Sequence, residues 1–217
     1  MDTQDNIFMS FEGDRYLERR KKSNRSDQQR IKEDIPLKLI ERNNINFNKV
    51  AEVGAYNGFR LAHLSEKYAC QTVAFEPSIK AIADGKKKYP NVKFHHNTAV
   101  QLDANDSDFD MVIIDFVFHW IDRKNLLRSV AEIDRILTED GWLIVGDFWV
   151  DHPQRRRYHH LSEIELWTYK QNYWDIFLSS NCYQLFDSIS NNSINNEIIP
   201  RYCTLMKKSL TSGYPIE

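Results

Sequence analysis

From residue 49 to 148 the chain alternates short apolar runs with segments of helical periodicity, and nothing else in it constrains the fold as strongly. Val50-Ala51-Glu52-Val53 predicts a buried strand ending at Gly54, followed by a helix over Phe59 to Lys67. Thr72 to Phe75 predicts a second strand, and Ser78, just after Glu76-Pro77, is placed to cap a helix over 79–88. Val92 to His95 and Met111 to Ile114 predict the third and fourth strands. Leu126, Val130, Ile133 and Leu137 recur at helical spacing, Gly141 is expected to stop that helix, and Trp142 to Val145 predicts a fifth strand. Strands alternating with helices imply right-handed crossovers and a parallel sheet covered on both faces, an α/β doubly wound fold.

The flanks differ in character. Residues 1–45 are expected to form an N-terminal helical lid on a domain spanning 46–217, and the basic run Arg19 to Lys22 reads as a solvated helix face. Residues 149–217 are expected on the substrate side, with a loop rich in Arg, His and aromatics and then a helix over 161–179. Tyr183 to Ile189 and Arg201 to Met206, joined by an Asn-rich turn, predict a C-terminal antiparallel strand pair. A length of 217 residues suits one domain. Twenty-nine basic against thirty-one acidic residues argue against a nucleic-acid surface as the main partner. No run approaches the ~20 apolar residues a membrane span needs, and the first residues lack a signal peptide's pattern. Cys70, Cys182 and Cys203 share no metal-ligand spacing. The expectation is a soluble cytoplasmic protein without a metal, acting on a small molecule.

Ligands of open α/β sheets sit outside the carboxyl ends of the strands, where strand order reverses. There the first strand reads Glu52-Val53-Gly54-Ala55-Tyr56-Asn57-Gly58. A dinucleotide site would want glycines at 54, 56 and 59, yet Tyr56 and Phe59 occupy the last two. The pattern acidic-x-G-x-G-x-G is met at Glu52, Gly54 and Gly58 and missed at Tyr56. Glu76, ending the second strand, is placed to accept hydrogen bonds from ribose hydroxyls.

With these residues in view, 48–150 resembles the class I S-adenosylmethionine-dependent methyltransferase superfamily, a Rossmann-like fold. Val73 to Ser78 looks like its second motif, Val92 to Leu102 like the segment flanking adenine, and Phe109 to Asp115 with Phe118-His119-Trp120 like its fourth motif. Leu137 to Trp142 is similar to its turn into the fifth strand. The resemblance implies S-adenosylmethionine as cofactor, S-adenosylhomocysteine as product, and cofactor contacts from Glu52, Gly54, Tyr56, Gly58, Glu76, Pro77, Thr98, Ala99, Asp115 and Phe116. Tyr56 stands for the middle glycine, with its ring over the methionine part of the cofactor, and Thr98 for the usual Asp. A narrower resemblance, to small bacterial methyltransferases of surface-polysaccharide or pseudaminic-acid biosynthesis, rests on Gly13-Asp14-x-Tyr16-x-x-Arg19, Tyr158-His159-His160 and Tyr169-Lys170. It implies a lid that closes over the cofactor with Tyr16 and Arg19 near its carboxylate.

An oxygen nucleophile needs a base, and histidine titrates near neutrality. His119 and His159 are the candidates, with His160 expected to point away from its neighbour. Arg157, Tyr158, His160, Tyr169 and Tyr173 are candidate substrate contacts, although Tyr169 and Tyr173 also suit a core helix face. For Asp115 the site reading is favoured, with capping of the next turn as the structural alternative. The expected activity is methyl transfer to oxygen or nitrogen of a small polar metabolite, with a sugar or nucleotide-linked sugar as the favoured case. Methylation of RNA or protein, and a non-catalytic cofactor-binding scaffold, are the alternatives.

Overall fold

A computed structural model describes residues 4–23, 25–161, 163–191, 200–214 and 216. The chain opens with helix α1 (Gln4–Ile7), a π-helical turn (Phe8–Glu12) and α2 (Gly13–Lys22), then α3 (Asp27–Glu33) and α4 (Ile35–Asn43). The central run is β1 (Lys49–Val53), α5 (Phe59–Tyr68), β2 (Gln71–Glu76), α6 (Ile79–Lys88), β3 (Lys93–His96) and β4 (Phe109–Asp115). A 3₁₀ turn (Phe118–Trp120), α7 (Leu126–Ile136) and β5 (Leu137–Phe148) follow. The last part holds β6 (Gln154–Arg157), β7 (Trp167–Lys170), α8 (Trp174–Leu178), β8 (Tyr183–Asn191) and β9 (Arg201–Lys208).

Seven strands form one sheet in the order β3-β2-β1-β4-β5-β9-β8. The first five are parallel, with Val53 beside Phe75 and beside Ile114, while β9 runs antiparallel between β5 and β8. Order reverses between β1 and β4, which opens the ligand crevice at their carboxyl ends. The expected doubly wound sheet and terminal antiparallel pair are thus present; the Asn-rich turn joining that pair falls at 192–199, outside the described residues.

Both faces of the sheet are covered. Leu39, Ile40, Leu61 and Leu64 from α4 and α5 pack on Val50, Met111 and Ile113, and Ile133, Ile136 and Phe177 from α7 and α8 pack on Val112, Ile114 and Leu143. Strands buried on both faces read as continuous apolar runs, which is why they were visible in the sequence. Helix α4, grouped with the lid in the sequence reading, belongs to this core because Ile35, Leu37, Leu39 and Ile40 are all buried. The part that lies across the crevice is residues 4–22. Its start is held by Gln4, whose amide donates to the carbonyls of Trp120 and Trp167, and by Asp5, which accepts from the Asn125 side chain. Its other end is held by Asp14, which accepts from Ser78 Oγ at 2.6 Å and from the backbone N–H of Lys80 at 3.0 Å.

Two local expectations are corrected. Gly141 does not stop α7: the helix ends at Ile136, Leu137 is already extended and pairs with Phe109, and Gly141 lies inside β5. No single helix covers 161–179 in the described residues. Trp167–Lys170 pairs instead with Gln154–Arg157 as an antiparallel ribbon, and only Trp174–Leu178 is helical. The aromatic and β-branched residues Trp167, Thr168 and Tyr169 favour a strand when a partner is available. Leu161 and Leu166 meanwhile tuck under Tyr158 and Ile7.

Candidate active site

The loop after β1 is built from left-handed backbone. Gly54 (φ 73°) and Gly58 (φ 76°) occupy that region, and each lies against a neighbour that leaves no room for a Cβ. At Gly54 the added carbon would run into Val117 just past β4, so the ends of β1 and β4 touch. At Gly58 it would meet the Phe94 ring at 2.7 Å. Tyr56 also has positive φ (54°), at the position where the sequence pattern wants glycine. A bulky residue there is strained, and its surroundings hold it: its N–H donates to Glu76 Oε2 at 2.8 Å, and its ring meets Tyr16 edge-on at 6.2 Å.

Glu76 is buried and accepts two backbone N–H bonds, from Tyr56 and from Ser78 at 2.9 Å. Burial raises its pKa to about 7 against the lowering effect of those bonds. Pro77 beside it accepts from His96 Nε2 at 2.9 Å, and Thr98-Ala99 follow β3 at the same edge, with Ala99 buried.

Glu52 and Asp115 belong to a buried ionic network that was not visible in the sequence. Arg60 of α5 reaches Asp34, Glu52 and Asp115, and Arg201 of β9 closes on Asp115 at 2.6 Å. Burial alone would raise the Asp115 pKa, but Arg201 and Arg60 outweigh it and hold it below the usual range. With Arg60 and Arg201 on both of its oxygens, Asp115 is a structural anchor of the two strands, which corrects its assignment to the cofactor. Burial, with Asp34 and Asp115 nearby, raises Glu52 to about 8 despite Arg60, so this group of three acids and two arginines is neutral when Glu52 is protonated. Glu52 Oε2 stays without a partner.

At the ends of β4 and β5, His119 and Asp147 form a buried pair. His119 Nδ1 lies 2.9 Å from Asp147 Oδ1, and the His119 N–H donates to Oδ2 at 3.2 Å. With Nδ1–H donated to Asp147, Nε2 is left as the proton acceptor. Aromatic rings box the imidazole: Trp120 at 4.5 Å, Phe148 at 5.0 Å and Phe116, itself at φ 58°, at 5.7 Å. Lys170 of β7 sets its ammonium over Phe148 at 4.2 Å. Asp147 was not singled out in the sequence, although an acid ending the fifth strand was a readable signal.

The other expected residues divide. Tyr158 is buried beneath the lid, its hydroxyl donating to Glu12 Oε1 at 2.5 Å and accepting from Arg19 Nη2 at 2.6 Å. Arg19 also pairs with Glu12, so its guanidinium serves the lid–ribbon contact. His159 and His160 are exposed, and their rings do not point apart but lie 3.9 Å from each other. His159 has no carboxylate to orient it comparable to Asp147 among the described residues. Arg157 is exposed on β6. Tyr173, fully buried and stacked on Phe118 at 5.1 Å, is core and corrects its assignment to substrate. Tyr169 lies under Arg123 at 4.4 Å, an arginine that also bonds the Tyr173 hydroxyl, so both tyrosines brace the turn after β4.

Residues 51–145 match the sequence model of a family described as a methyltransferase domain. A curated relative, an uncharacterized methyltransferase of Schizosaccharomyces pombe, is 25% identical over 127 residues, 56% of this chain. The match spans about half of that relative's length (49%). Among solved structures, a Burkholderia thailandensis 1,6-didemethyltoxoflavin-N1-methyltransferase with bound 1,6-didemethyltoxoflavin and S-adenosylhomocysteine superposes with TM-score 0.70. It is 14% identical, and 95% of this chain and 87% of that one are covered. A S-adenosylmethionine-dependent methyltransferase of Methanosarcina mazei gives TM-score 0.65 at 15% identity, over 79% of this chain and 97% of that one. Residues 51–145, fewer than half of the chain, are therefore similar to a methyltransferase domain, and the fold is one shared with solved S-adenosylmethionine-dependent methyltransferases. The crevice has the features such a cofactor needs: the glycine-lined loop admits a close backbone approach, and the buried Glu76 carboxylate ends β2 beside it.

Proposed function

We propose that this protein transfers a methyl group from S-adenosylmethionine to an oxygen or nitrogen of a small polar metabolite in the cytoplasm. The observation that carries the reading is the buried His119–Asp147 pair at the ends of β4 and β5, beside the point where Gly54 meets Val117. When bound, the cofactor supplies a methyl on a positively charged sulfur. The chain's own residues do the rest. Glu76 and the Gly54–Gly58 loop orient the nucleoside, the lid of residues 4–22 excludes water, and His119 Nε2 takes the proton of the acceptor hydroxyl or ammonium. Asp147 holds the ring in place and stabilises the imidazolium that forms. Alignment of two bound reactants can lower the barrier by ~7–11 kcal/mol.

An anionic acceptor, such as a nucleotide-linked sugar, is the favoured case because exposed Arg155, Arg156 and Arg157 line β6 beside the lid. Calorimetric titration tests the cofactor: S-adenosylmethionine and S-adenosylhomocysteine bind at micromolar concentration and NAD does not. A screen of nucleotide-linked sugars and amino sugars for transfer of labelled methyl then tests the acceptor; transfer only to RNA or protein would refute the small-molecule reading. No helix of the described residues is long and apolar enough to cross a membrane.

A further inference from the structure

A strained residue stands beside the His119–Asp147 pair. Phe116, just past β4, is bulky yet has left-handed backbone (φ 58°), a conformation that persists only where its surroundings enforce it. Its N–H donates at 2.8 Å to the carbonyl of Gly146, the residue before Asp147, and its ring meets the His119 ring edge-on at 5.7 Å. Phe116 is thus tied to one member of the pair through its backbone and to the other through its side chain.

Arg201, the first residue of β9, brackets this strained position. Its Nη2 donates to both oxygens of Asp115 at 2.6 Å, and its guanidinium lies over the Phe116 ring, 4.8 Å from the ring centre. The ion pair fixes the backbone just before Phe116, and the planar cation covers the ring, a task for which arginine is better shaped than lysine. The buried Nε of Arg201 finds no hydrogen-bond partner, an unmet donor that these two contacts must outweigh. Phe116 is also edge-on to Phe148 at 5.0 Å, and Phe148 lies 5.0 Å from His119. A Phe116 ring free to turn would therefore loosen two walls of the box around the imidazole. An imidazole can meet a carboxylate through either nitrogen, and only the arrangement with Nδ1–H on Asp147 leaves Nε2 as proton acceptor.

We propose that Arg201 is a positioning residue for methyl transfer, holding the Phe116 ring against His119 so that Nδ1–H stays on Asp147 and Nε2 stays bare. This role rests on the reading of His119 as the base. It also separates Arg201 from Asp34, Glu52 and Arg60, whose ion pairs join strands and helices without lying on the Phe116 ring.

The test reads the imidazole directly. With nitrogen-15 in the histidines, long-range proton–nitrogen spectra distinguish a ring held as Nδ1–H from one that averages between tautomers, and the His119 signals are assigned by their loss in His119→Gln. The unaltered protein is expected to show a single Nδ1–H tautomer at a pH where the ring is neutral. Arg201→Gln and Phe116→Leu are each expected to lose that pattern. Phe116→Leu leaves the ion pairs of Asp115 in place, so it keeps the test open if Arg201→Gln fails to fold. Asp34→Asn removes a buried ion pair of the same network away from Phe116, and is expected to keep the single tautomer. An unchanged Nδ1–H tautomer in either Arg201→Gln or Phe116→Leu, or its loss in Asp34→Asn, would overturn the proposal. If the unaltered protein does not hold His119 as Nδ1–H, the reading of His119 as the base falls, and the positioning role with it.

Discussion

The two halves of the crevice are built by different means. On the β1–β2 side, backbone geometry dominates: Gly54 and Gly58 adopt conformations other residues resist, and Glu76 is held by two main-chain N–H groups. On the β4–β5 side, side chains from distant stretches dominate: His119, Asp147, Phe148 and Lys170 meet one another, and Trp120 meets Phe8 and Tyr158. A site made of backbone suits a ligand common to a whole class of enzymes. One made of side chains can change its acceptor without disturbing the sheet.

Four substitutions test this contrast. The largest effect is expected at Gly54→Ala, where the methyl must displace Val117 and adopt positive φ. Urea unfolding should show a loss of about 2–4 kcal/mol, and calorimetry should show S-adenosylhomocysteine binding abolished. A wild-type midpoint would mean that the loop is not set by backbone.

Next is His119→Ala on the other side, expected to reduce methyl transfer by about 10²–10⁴ while S-adenosylhomocysteine affinity stays within about threefold. Asp147→Asn should lose most of the same activity by leaving the ring unoriented. Loss of cofactor affinity in either variant would show that the halves are not separable.

The smallest effect is a pH dependence confined to the backbone-built side. In the proposed role, Glu76 accepts from ribose hydroxyls in its ionised form, and burial raises its pKa to about 7. S-adenosylhomocysteine binding should therefore be strongest above pH 7 and weaken up to about tenfold per unit below it, a trend that Glu76→Gln flattens. The sign for stability is opposite. The folded protein holds this proton up to about 7 while the unfolded chain releases it near 4.5, so stability falls as pH rises between those values and levels off above the upper one. A binding curve that rises as pH falls would contradict the role of Glu76.

The same contrast explains what could be read in advance. Val50 to Val53 and Met111 to Ile114 announce buried strands by composition, and Glu52 to Gly58 carries its turn in consecutive residues. His119 could be suspected from its place after β4, but its orienting partner lies 28 residues further on, and pairing at that range leaves no local trace. Helical spacing leaves Tyr173 open between a pocket and the core, because it cannot separate a ring that lines a pocket from one stacked on Phe118. Residues 161–179 were misjudged because the strand partner of Trp167–Lys170 lies across a loop.

The ionic network of Asp34, Glu52, Arg60, Asp115 and Arg201 also bears on how the sequence can change over time. Asp34 caps α4 and the others come from β1, α5, β4 and β9, and removing one partner of a buried pair costs about 3–5 kcal/mol. That is a large share of a domain's ~5–15 kcal/mol of net stability. No single exchange among the five can therefore drift through a lineage as a neutral step; a descendant inherits the set intact or replaces it as a block. Exposed residues such as Arg155 and Arg156 of β6 stand outside this network, and new acceptors can be acquired there one substitution at a time.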